Sequence, residues 1–394
     1  MIHRHTLGKL PPIPHTAFYE DGKLLMEHCH TREGFDGAFS IMYYRVPPTD
    51  ENAVEGLTLP GFCPFEPLEK QPLYRRHIKT LDLKTEGDFL DARRTLMFNA
   101  DVHIGMVKPT RTSARFFLNG DGDELYYTYR GAGRFETVFG VLDFVEGDYV
   151  HVPRGTPYRI HWDGNNPEFL VFEGRGFIDI PKEYRNRYGQ ITMYAPFTHR
   201  DFRLPQALLG YDEASHGTAP FKLVVKREDE LTVHLHQHFP YDLVGWDGYV
   251  YPFAFSIHDY KPRTGMIHLP PTIHTTFAGN RFVVCSFVPR KVDYVEGAIP
   301  CPYGHAAVHM DEILFYVAGN FTSRKGIDSG SISLHPAGIP HGPHPGTYQA
   351  SIGTERTSEL AVMCDTYEQL RLTSLAHDLE DKDYHLTWIA KEGG

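Results

Sequence analysis

The chain has 394 residues, 41% of them hydrophobic and 13% aromatic, a length that favours two domains and a composition that lets both bury a core. Its net charge of −11, with no Lys/Arg cluster to offset phosphate repulsion, argues against a nucleic-acid partner. No run reaches the length of a membrane span, MIHRHTLGKLPPIPH lacks the apolar stretch of a secretory signal, and five scattered cysteines (Cys29, Cys63, Cys285, Cys301, Cys364) read as reduced thiols, so a soluble cytoplasmic protein is expected.

Residues 1–60 are rich in His, Pro and Gly, with one strand-like run, SIMYYRVP from Ser40, and read as an extended arm. Their His3, His5, His15, His28 and His30 fit no single element and are expected to be hydrogen-bonding surface residues. From about Thr80 short alternating runs separated by Gly, Asn, Asp and Pro replace helical periodicity, the pattern of a β-sandwich or barrel. DELYYTYRGAG puts Glu124 seven positions before Gly131, and GDYVHVPRGTPY runs from Gly147 through Pro153 and Gly155 to Tyr158. His151 and His161 nearby read as structural residues on strand faces. Over residues 175–265 the β pattern is interrupted: KEYRNRYGQ predicts a short polar helix or turn. In HLHQHFPYDLVGWDGYVYPF, His234, His236 and His238 recur at period two, which on a strand puts them on one face. That is a metal-like spacing, but no carboxylate stands at a patterned distance, and a place at an active-site mouth or subunit contact is expected. IHLPPTIHTTF, with His268 and His274, then feeds strands FVVCSFVP and ELAVMCDTY, and the charged tail TYEQLRLTSLAHDLEDKDYHLTW is expected to be helical.

Residues 305–341 carry the chemistry. His305 stands seven positions before Glu312, a β-rich run follows to Gly319, and GSISLHPAGIPH then runs from Gly330 through Pro336 and Gly338 to His341. Strands at 313–317 and 331–334, stopped by Pro and Gly, are placed to bring His305, Glu312 and His341 together inside one barrel. Two imidazoles and one carboxylate form a facial triad with open positions for iron, and manganese or zinc accept the same donors. His309 falls out of register and ranks below His305. The 124–158 stretch repeats this pattern with Tyr158 where His341 stands and no His before Glu124, so its barrel is expected to be structural and the later one metal-binding.

PYGHAAVHMDE and SLHPAGIPHGPH resemble the cupin superfamily, with Ala307 in the slot of a second His. Together with GMIHLPPTIHTTF and NGDGDELYYTYRGAGRFET they are similar to the homogentisate 1,2-dioxygenase family. The resemblance implies an all-β, bicupin-like fold of two jelly-roll barrels with few short helices. The N-terminal unit is expected over residues 1–265, with its degenerate cupin at about 80–180 and the extended arm, and the iron-bearing cupin over 266–394. It implies Fe(II) on His305, Glu312 and His341, His335 acting from behind the ligands, His268 as acid/base, and a homo-oligomer, trimeric or hexameric. The implied substrates are a small aromatic molecule and O2, homogentisate being opened to maleylacetoacetate in tyrosine and phenylalanine breakdown. Phe321 stands where many members carry a Tyr that holds the substrate carboxylate, and Arg324 and Lys325 are the nearest cations in sequence. The alternatives are a dioxygenase for another hydroquinone such as gentisate, and a non-catalytic or isomerase bicupin.

Overall fold

The computed structural model describes residues 2–62, 65, 68–306, 309–321 and 323–389; Cys63 and Ala307 lie outside them. The fold is all-β and of the two-barrel kind expected: among the described residues there are 27 strands, and no α-helix exceeds five residues.

Three large sheets build it. A seven-stranded sheet contains Phe116–Asn119, Tyr158–His161 and Glu230–His236. An eight-stranded sheet has Asp123–Arg130 between Asp148–Val152 and Glu168–Gly174. A six-stranded sheet runs Thr275–Gly279, Phe282–Phe287, Leu360–Thr366, Asp311–Ala318, Ser331–His335 and Arg76–Ile78.

The eight-stranded sheet is buried on both faces. Side chains alternate across a strand, so Tyr126 of DELYYTYR joins the core of the first barrel with Phe117, Phe135, Tyr158 and Phe169. Its neighbours Leu125 and Tyr127 join the core shared with Ile313, Phe315 and Val362 of the six-stranded sheet. The same alternation along Asp311–Ala318 sends Glu312, Leu314 and Tyr316 to the opposite face, where Leu314 and Tyr316 pack with Phe321, Cys285 and Met363. Glu312 thereby enters the second barrel.

The halves also exchange strands. Arg76–Ile78 completes the six-stranded sheet through Ile332↔Ile78, and Arg371–Leu372 closes an edge of the eight-stranded sheet through Leu372↔Met97. Covering an edge in this way removes a row of unpaired backbone groups.

Two local expectations change. The first 60 residues are more strand-rich than an arm: His5–Gly8, Met26–Thr31 and Phe39–Tyr44 form a sheet with Leu243–Gly248, and Glu51–Leu57 edges the seven-stranded sheet. The tail is helical only in pieces. After the Arg371–Leu372 strand, Thr373 caps the short helix Ser374–Asp378 by accepting from Ala376 N–H, and a 3-10 turn covers Tyr384–Trp388. Long-range strand pairing overrides the local helical preference upstream of that cap.

Candidate metal centre

Glu312 lies one residue inside its strand, directly across from His335 on one side and Asp365 on the other. After His335 the chain turns through Pro336 to Gly338, whose φ of +91° suits glycine, and returns His341 beside the sheet. His341 then exchanges two backbone hydrogen bonds with His305, each 2.8 Å, which anchors the loop carrying His305. The ligand atoms of His305, Glu312 and His341 all lie within 4.8 Å of one another.

Glu312 and His341 are 7% and 3% exposed, and neither ring nitrogen of His341 has a hydrogen-bond partner among the described residues. Buried imidazole nitrogens normally find a partner, so an unpaired ring facing a carboxylate fits the role of a cation ligand. The donor set fits a divalent transition metal. His335 is fully buried, with Nδ1 2.6 Å from Glu312 Oε1. Burial, aided by the Arg324 charge, pushes His335 down to about 3. Burial alone would raise the Glu312 carboxyl, but its contacts with His335 and His341 outweigh that and hold it well below the usual carboxylate range. The pair is thus a carboxylate accepting from a neutral imidazole, an arrangement that orients a ligand from behind. Asp365, which the sequence reading passed over, is pushed up to about 8 by burial and by Glu312. Its only sequence signal is a carboxylate in the otherwise apolar run LAVMC.

The pocket at this centre is lined by His268, Arg290, Tyr303, Arg324 and Glu359, with Phe287, Leu314 and Met363 as apolar wall. His268 lines it, with Nδ1 3.1 Å from Asp293 Oδ2. His274 also lines it, but it packs on Phe287, and burial pushes it down to about 3. The two cations behind Phe321 separate. Arg324 reaches the pocket, its Nη1 donating to Gly342 O at 2.8 Å and its Nε unpartnered among the described residues, whereas Lys325 is exposed and bonded to Pro345 O. Phe321 itself is buried against the Tyr316 ring, 4.7 Å away. His309 lies in the exposed loop before the strand.

The histidine triplet is corrected in two respects. His234, His236 and His238 line a separate cavity of the first half, with His28, His30 and Met42, and not the mouth of this pocket. Their carboxylates come from a neighbouring strand and the turn before it: Glu51 Oε2 is 2.6 Å from His234 Nδ1 and Asp50 Oδ2 is 3.2 Å from His238 Nε2. His28 and His30 are accordingly cavity residues, not surface ones. A second compact group, His103, Glu173 and Asp229, already holds a cation of the protein's own, since Lys226 Nζ ion-pairs with both carboxylates.

Residues 71–257 match the N-terminal and residues 257–393 the C-terminal domain of homogentisate 1,2-dioxygenase. The protein named "Putative dioxygenase SSO1533" of Saccharolobus solfataricus is 39% identical, over 98% of this chain and 99% of its own length. The homogentisate 1,2-dioxygenase of Nitrobacter hamburgensis is 28% identical, over 78% of this chain and 71% of its own. Among solved structures, a cupin 2 conserved barrel domain protein from Leptotrichia buccalis is 10% identical with a TM-score of 0.34, covering 76% of this chain and 99% of that one. No helix among the described residues is long and apolar enough to cross a membrane. The two domain matches span most of the chain, and it belongs to the homogentisate 1,2-dioxygenase family.

Proposed function

We propose that the chain opens the ring of an acid-bearing hydroquinone with O2, homogentisate giving maleylacetoacetate, using Fe(II) held by His305, Glu312 and His341. The observation that carries this reading is the convergence of those three donors beside a pocket that also presents an imidazole and a guanidinium. Family membership supports a dioxygenase; the substrate and the metal's identity are our inference. When bound, the iron would supply open coordination positions and Lewis-acid activation for an aromatic substrate and O2. His335 keeps the Glu312 carboxylate oriented through its 2.6 Å contact. His268 takes the phenolic proton and returns it to the product, while His274, buried and neutral, stays out of proton transfer. Arg324 holds the substrate carboxylate, the task that the Phe321 ring cannot perform.

That same Phe321 favours one second reading, a hydroquinone with another side chain, such as gentisate. Anaerobic loading with Fe(II), followed by oxygen uptake on homogentisate, gentisate and unsubstituted hydroquinone, decides between them. Homogentisate is expected to be preferred, with Arg324→Ala raising its KM more than that of hydroquinone; equal KM changes would remove Arg324 from the carboxylate role. His268→Ala is expected to keep its iron and bind substrate while turnover falls about two to four orders of magnitude. Normal turnover would end the His268 assignment.

A further inference from the structure

The pocket's proton-transfer imidazole has a partner that the sequence pattern does not mark. Asp293 lies 25 positions after His268, in a different loop, yet its Oδ2 is 3.1 Å from His268 Nδ1. The carboxylate is itself fixed: Gly265 N–H donates to Oδ1 at 3.2 Å, and Tyr294 N–H donates back to Gly265 O at 3.1 Å, so the two loops clasp each other at this point. The Tyr303 ring meets the imidazole edge-on, ring centroids 5.1 Å apart. Proline at 270 and 271 stiffens the loop that follows His268. His274, the other non-ligand imidazole named on the pocket wall, has no such carboxylate: its Nδ1 is unpartnered among the described residues.

We propose that Asp293 is the positioning residue of the site, holding His268 as the Nδ1–H tautomer so that Nε2 is the basic nitrogen offered to the substrate. The proposal rests on the proton-carrier role given to His268 above. In the proton step the substrate O–H bond breaks, its electron pair stays on the phenolate oxygen, and the proton passes to Nε2. The imidazolium so formed is balanced by the Asp293 carboxylate at Nδ1, and the same proton leaves on the opened product, with no net redox change at either residue. A carboxylate behind an imidazole selects its tautomer and orients its ring in this way.

The test uses full-length Asp293→Asn and Asp293→Glu. In Asp293→Asn, iron content and anaerobic homogentisate affinity are expected to stay within about twofold while kcat falls by about two orders of magnitude. Asp293→Glu should recover part of the loss. Long-range 15N–1H correlation on histidine-labelled, metal-free protein reads the tautomer without any turnover: His268 is expected as Nδ1–H in the parent and Nε2–H in Asp293→Asn. In a His268→Ala background, Asp293→Asn should cost nothing further. An unchanged tautomer, a further additive loss in that background, or a rise in KM without a fall in kcat each overturns the positioning role. If the tautomer switches as expected but the parent oxidises none of the hydroquinones, the proposed function fails and the Asp293–His268 pairing stands.

Discussion

Glu124 and Glu312 hold the same place in two barrels built on one pattern, and they meet opposite surroundings. Each lies on a strand flanked by two antiparallel neighbours: Glu124 faces Val152 and Glu173, and Glu312 faces His335 and Asp365. In the first barrel Arg93 donates to both carboxylates, at 2.5 Å to Glu124 and 2.6 Å to Glu173, and Tyr158 O–H, standing in for His341, donates to Glu124 at 2.7 Å. The guanidinium supplies the positive charge, and every donor aimed at Glu124 comes from the chain. In the second barrel no cationic side chain hydrogen-bonds Glu312 among the described residues; its 2.6 Å partner is the neutral His335 imidazole, and the Arg324 guanidinium lines the same pocket. Neither ring nitrogen of His341 is hydrogen-bonded among the described residues, and Asp365 is pushed up to about 8 by burial and the facing Glu312. A buried carboxylate needs a counter-charge: Arg93 supplies it to Glu124, and at Glu312 a bound metal ion would supply it.

Breaking the triad is expected to have the largest effect. His305→Ala, Glu312→Ala and His341→Ala should each abolish binding of about one iron per chain, read by elemental analysis, whereas Tyr158→Phe keeps it. Iron retained after loss of two of the three would move the site elsewhere, and the His234 to His238 cavity would be the place to look. Arg93→Met attacks the other barrel: it strands Glu124 and Glu173 without their cation, and urea unfolding should show a loss of about 3–5 kcal/mol, with iron content per folded chain unchanged. A loss below about 1 kcal/mol would mean that the guanidinium is not the counter-charge that closes the first site.

Acid sharpens the comparison, since each half buries a neutral histidine. Burial pushes His103 down to about 4 and His274 to about 3, against an ordinary 6.5. The unfolded chain therefore binds protons that the folded one refuses. The stability from these two groups is fully present above about pH 6.5 and is lost as the pH falls toward the folded values, on the order of a few kcal/mol each. Urea midpoints between pH 7.5 and 5 should fall accordingly, and less in His103→Gln; a flat profile would contradict the buried neutral state. The smallest effect expected is that of Tyr158→Phe. It removes the 2.7 Å bond to Glu124 and the 2.6 Å contact with Tyr126, at about 1–3 kcal/mol, measurable by the same titration.

The all-β class was legible because it is written in local spacing, and the same spacing marked His305, Glu312 and His341, whose ligand atoms lie within 4.8 Å of one another. A Gly-bounded turn before a Pro-x-Gly stop sets where strands end, and alternation sets which face Glu312 takes. The Tyr158 substitution was legible for the same reason. What the sequence could not show depends on residues far apart along the chain. Arg93 reaches Glu173 across 80 positions, Asp293 reaches His268 across 25, and Glu51 reaches His234 across 183. None of these partners has a periodic relation to the group it serves, since sheet order and loop docking alone determine who meets whom. The exchange of Arg76–Ile78 and Arg371–Leu372 between the halves is of the same kind: strands that short carry almost no pattern of their own, and the open edge of a sheet already formed decides where they pair.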